Sequence, residues 1–88
     1  MNIIDKMWEY ACNGEIEALE GCYNDGCGVN NRYFRFGEYH SLIMGAFRNN
    51  QFKTVLYLLS QGEELTRKEH EEIEKELIRI DIMRLMVR

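Results

Sequence analysis

One stretch of this chain returns 36 residues further on, and any fold it adopts must house both copies in the same way. Tyr10-Ala11-Cys12-Asn13-Gly14-Glu15-Ile16-Glu17-Ala18-Leu19 stands over Ala46-Phe47-Arg48-Asn49-Asn50-Gln51-Phe52-Lys53-Thr54-Val55. The correspondence continues through Cys22/Leu58 and Tyr23/Leu59 to Gly26/Gly62. Apolar residues match apolar ones at helical spacing, and turn formers match turn formers. Gly14 and Asn50 are the residue types that most readily adopt positive φ, so both copies can bend between two helices with one left-handed residue. A third, degraded copy lies 28 residues on, where the run from Ile80 to Val87 falls on Phe52 to Leu59. A helix pair of this size cannot bury its apolar face alone, so the repeat predicts stacking.

The rest of the sequence agrees with a helical reading. There is no proline, and the glycines punctuate the chain at intervals. The periodicity predicts helices near 3–13, 15–24, 41–49, 51–61, 66–79 and 80–87. Thr66 and Glu69 have the spacing of a capping box that opens the fifth helix, and Ile73, Leu77 and Ile80 recur along it. Residues 25–40 form the one long connection. At 88 residues there is room for one domain, spanning 1–88, with repeats near 3–30, 37–62 and 66–88.

The two clear copies resemble the ankyrin repeat. Its second half is followed by Ala11, Gly14, Ile16, Glu17, Leu19, Gly26 and Val29-Asn30. The second copy follows it again at Ser41, Ile43, Ala46, Asn50, Val55, Leu58, Leu59 and Gly62. The family's Thr-Pro-Leu-His signature reads Ser41-Leu42-Ile43-Met44 here, and the link from Asn30 to Ser41 is three residues longer than usual. The resemblance implies an all-α fold: an ankyrin-like helical-repeat solenoid of stacked helix pairs with one long hairpin, or finger, loop. It also implies non-catalytic protein recognition through the finger and the inner helices.

Charge narrows the partner. The net charge is −4, which argues against general nucleic-acid binding. It is spread unevenly: residues 1–30 hold six acids and one base, residues 31–62 one acid and four bases, and residues 63–88 eight acids and six bases. A basic middle between acidic ends can orient a charged partner. No apolar run reaches the length of a membrane span, and the N-terminus lacks the pattern of a signal peptide. With three cysteines, an odd number, the expectation is a cytoplasmic, reducing compartment and no disulfide framework.

The segment Arg32-Tyr33-Phe34-Arg35-Phe36-Gly37-Glu38-Tyr39-His40 is the richest candidate site. Tyrosine and arginine dominate binding hot spots because they bury much area and still hydrogen bond. Strand alternation would put Phe34 and Phe36 on one face and Tyr33 and Arg35 on the other. Either the loop is a binding surface, or Phe34 and Phe36 tuck over the helices and leave Tyr33, Arg35 and Tyr39 in solvent. The resemblance adds Arg48 and Asn49, at variable positions of the concave face, and Trp8, which reads first as a lid over the open N-terminal end of the core and second as a contact. The partner-binding set is therefore Trp8, Arg32, Tyr33, Phe34, Arg35, Tyr39, His40, Arg48 and Asn49.

Chemistry of other kinds finds little support. Cys12, Cys22, Cys27 and His40 lack the close Cys-x-x-Cys pair of structural zinc sites, and no metal or cofactor is expected. Ser41 beside His40 has no nucleophile elbow, and Gly26-Cys27-Gly28 has no phosphate-loop lysine, so no enzyme is expected. The leading function is a protein–protein interaction module. The alternatives are a small phage, viral or bacterial inhibitor of a host or defence enzyme, and a structural homo-oligomer. Ile80, Ile82, Met83, Leu85, Met86 and Val87 raise the last of these. Asp81, Arg84 and Arg88 can form a single solvent stripe, which favours the monomer.

Overall fold

The computed structural model describes residues 3–86, with side chains placed through Glu76. Along the chain run α1 (Ile3–Asn13), α2 (Ile16–Asn24), β1 (Tyr33–Arg35), β2 (Glu38–His40), α3 (Leu42–Arg48), α4 (Phe52–Ser60) and α5 (Arg67–Met86).

The 36-residue repeat is obeyed down to its hydrogen bonds. Gly14 and Asn50 take φ of 72° and 60° between the helices of each pair. Glu15 N–H donates to Tyr10 O at 2.9 Å, and Gln51 N–H to Ala46 O at 2.9 Å. Each pair then ends in the same left-handed closure, Cys27 N–H to Cys22 O at 3.1 Å and Glu63 N–H to Leu58 O at 3.2 Å. The core lies where α1 meets α3, with α2 and α4 each against its own pair mate. Met7, Ala11, Leu19, Leu42, Ile43, Ala46 and Leu58 are wholly buried there.

The chain is not the pure all-α repeat solenoid that the resemblance implied. It is a mixed α/β structure, because the 25–40 connection contains a two-stranded antiparallel sheet with Tyr33 opposite His40, Phe34 opposite Tyr39 and Arg35 opposite Glu38. The reason is local. Phe36 and Gly37 both have positive φ, 55° and 81°, which is the two-residue turn whose twist matches the strands it joins. The aromatic residues on either side, Tyr33, Phe34 and Tyr39, suit strands better than coil.

The second departure is α5. Helices near 66–79 and 80–87 fuse into one element that runs unbroken through Met86. The first two pairs are broken by Gly14 and Asn50, whereas the sequence from Arg67 to Met86 has no glycine, asparagine or proline at which a helix could turn. The apolar side chains from Ile80 to Val87 that raised the dimer lie outside the described side chains. No described helix is long and apolar enough to cross a membrane.

Two buried carboxylates tie the pieces together. The capping box forms at the start of α5: Thr66 N–H donates to Glu69 Oε1 at 2.9 Å, and Glu69 N–H to Thr66 Oγ1 at 3.2 Å. The other oxygen of Glu69 accepts from both Ser41 N–H at 2.9 Å and Ser41 Oγ at 3.0 Å. Glu63 does the same one loop earlier, accepting from Tyr23 Oη at 2.6 Å and from Asn30 N–H at 2.8 Å. Glu64 N–H returns a bond to Asn30 Oδ1 at 2.7 Å. Both feet of the hairpin, Asn30 and Ser41, are thus held, the first by the segment that leads into α5 and the second by its first turn.

Candidate functional site

The hairpin has an inner and an outer face, and Trp8 decides which is which. Its ring stands 5.6 Å from the ring of Tyr33 and 6.2 Å from that of His40. Arg35 lays its guanidinium carbon 5.4 Å above the same ring. A large aromatic face attracts both a cation and tilted aromatic edges, so Tyr33, Arg35 and His40 turn inward. The ring fits because residue 45 is glycine: a Cβ there would meet three Trp8 ring atoms at 3.3 Å.

Alternation then sends Phe34 and Tyr39 outward, where their rings meet edge to face at 5.0 Å. Phe36, in the turn, is 77% exposed, Tyr39 67% and Phe34 55%. Arg48 reaches up from the end of α3, its guanidinium carbon 5.5 Å over the Phe36 ring, and pairs with Glu72 of α5 at 3.6 Å. Lys68 of α5 pairs with Glu38 of β2 at 2.8 Å. That contact holds the Glu38 carboxyl below, and the Lys68 ammonium above, their ordinary ranges. The result is an aromatic face on a braced hairpin.

The residues singled out from the sequence separate accordingly. Phe34 and Tyr39 meet on the outer face, while Arg48 meets Phe36 at the tip, whose ring also stands edge to face with His40 at 6.3 Å. Tyr33, His40 and Trp8 are packed inside. Arg35 is half-buried against Trp8, and Arg32 is exposed and donates to Glu64 O at 3.2 Å. Asn49 spends its amide on the carbonyl of Gly45, 2.8 Å away, and closes the end of α3. Phe36, named in the candidate segment, is the exposed residue that the partner-binding set left out. The signal was available, since the first residue of a two-residue turn before glycine projects from the hairpin tip. Cys12, Cys22 and Cys27 are free thiols, and among the described residues no three His, Cys, Asp or Glu side chains gather to hold a metal ion.

Burial pushes the Tyr33 phenol well up, with Glu63 adding to the effect. Tyr23 is raised by burial and then by its bond to Glu63. Both ionise near 10.0 when free. The folded state therefore keeps protons that the unfolded chain has lost above pH 10, so the contribution of these two phenols is constant below that pH and destabilises above it. The two phenols together give a slope of about 2.7 kcal/mol per pH unit. Phenolate absorbance from Tyr23 and Tyr33 should rise together with loss of helical ellipticity. Titration of all five tyrosines near pH 10 with the ellipticity intact would contradict this placement.

No family model, no curated protein and no solved structure matches the chain.

Proposed function

We propose that this chain is a non-catalytic protein-recognition module that holds a protein partner on the aromatic tip and outer face of its hairpin. The observation that carries the reading is Phe36. Exposing a phenyl ring forgoes burial, and placing a non-glycine residue at φ 55° costs about 1–2 kcal/mol. The ring's contacts with the Arg48 guanidinium at 5.5 Å and the His40 ring at 6.3 Å leave Phe36 77% exposed, whereas an aromatic anchor that enters a partner's pocket gains from both its size and its fixed pose. Phe34 and Tyr39 widen the face, and Arg32, exposed just before β1, adds a positive charge. An acidic partner surface suits it. The likeness of the two helix pairs to ankyrin repeats, whose members recognise proteins through their fingers, supports the same reading.

The test separates stability from binding. Phe36→Asn places at the turn a residue that tolerates positive φ, which offsets the loss of the exposed Arg48 and His40 contacts, and should leave stability within about 0.5 kcal/mol of the parent. The same variant should lose the protein captured by the parent chain from a lysate of the cells that make it. A variant that is destabilised, or that captures the same protein equally well, removes Phe36 from the recognition surface.

A further inference from the structure

The end of α2 brings two thiols together in a way that the second copy of the repeat does not. Gly26 N–H donates to Tyr23 O at 3.1 Å and Cys27 N–H to Cys22 O at 3.1 Å. Gly26 sits between them at φ 93°. This paired closure places the third-last helical residue against the residue two past the cap, a contact usually made by two apolar side chains. Here those positions are Cys22 and Cys27, so the closure sets the two thiols side by side. The counterparts in the second copy are Leu58 and Glu63, so the backbone turn is general and the dithiol belongs to the first copy alone.

We propose that Cys22 and Cys27 form a thiol–disulfide exchange site for a low-molecular-weight disulfide of the glutathione class. Cys27 is half-buried and accessible, whereas Cys22 is buried, which orders the steps. The Cys27 thiol gives its proton to solvent and its sulfur attacks one sulfur of glutathione disulfide, releasing one glutathione thiolate. The Cys22 thiol then loses its proton, and its sulfur displaces the second glutathione from Cys27. Two protons and two electrons leave the protein, a Cys22–Cys27 bond forms, and one glutathione disulfide becomes two glutathione molecules. Burial pushes the Cys22 thiol up, which suits a group that waits protonated until the mixed disulfide lies beside it. Cys12, on α1, is a third thiol without this arrangement. The new bond would close the turn from which the hairpin connection departs.

The experiment uses the reduced full chain, incubated with glutathione disulfide, quenched in acid and cut before Asp25. The expected product has lost two of its three thiols and two hydrogens of mass, carries no glutathione on the pair, and yields two peptides joined through Cys22 and Cys27. Cys22→Ala, once shown by circular dichroism to be folded, should hold a glutathione adduct on Cys27 that the parent chain does not retain. If that variant does not fold, the parent chain decides alone. A lasting glutathione adduct on Cys27 of the parent chain, reaction confined to Cys12, or three unreacted thiols would each overturn the proposal.

Discussion

Trp8→Ala should destabilise the fold by about 3–5 kcal/mol, the cost of removing a large buried aromatic and leaving its cavity. The ring is 8% exposed and is the common neighbour of Tyr33, His40, Arg35 and Gly45. Its loss therefore opens the slot above Gly45 and strips the inner face of the hairpin of its support. Domains of this size have roughly 0.05–0.15 kcal/mol of stability per residue, so the variant should approach the limit of folding. Urea unfolding followed by circular dichroism reads the effect. A loss below about 1 kcal/mol, the range of ordinary surface substitutions, would mean that Trp8 lies over the surface as a contact and does not orient the hairpin.

Glu69→Ala should cost about 3 kcal/mol, because it orphans the buried Ser41 amide and the Thr66 amide at once. The carboxylate is 3% exposed and accepts from Ser41 N, Ser41 Oγ and Thr66 N. No neighbouring group can take over all three bonds. The comparison is Glu71→Ala, two positions along α5, where an exposed pair with Arg67 at 4.0 Å contributes little. Glu69→Ala should also speed amide exchange at Ser41, where the hairpin enters α3. Equal unfolding midpoints for the two variants would show that the Glu69 bonds do not hold the hairpin to α5.

Much of this arrangement is legible in the sequence where the cause is local. Gly14 and Asn50 announce the bends that they make, Gly26 and Gly62 the helix ends, and Thr66 with Glu69 the capping box. The hairpin is legible in part. Alternation separates Tyr33 and Arg35 from Phe34, but it does not say which side faces inward, because both sides carry aromatic residues. The choice is made by Trp8, 25 residues before Tyr33, whose ring accepts a guanidinium and a tilted phenol. The second oxygen of Glu69 is beyond sequence reading for the same reason. Its partner Ser41 lies 28 residues away, and nothing in the spacing marks one glutamate of a glutamate-rich helix as buried. Glu63 and Tyr23, 40 residues apart, are hidden likewise. The third repeat misleads because the apolar match between the 80–87 and 52–59 runs is real, while the residue that would break the helix before it is missing. Apolar spacing reports a face, and a glycine or asparagine reports a bend. Only the first two copies have both.

Whether the hairpin's aromatic tip meets the partner is decided by a photoreactive benzophenone side chain placed at one position. Placed at Phe36, 77% exposed at the hairpin tip, it should cross-link the captured protein on illumination. Placed at Leu56 of α4, 68% exposed and equally apolar, it should not. A cross-link at Leu56 with none at Phe36 would contradict the account and move recognition to the helical side of the chain.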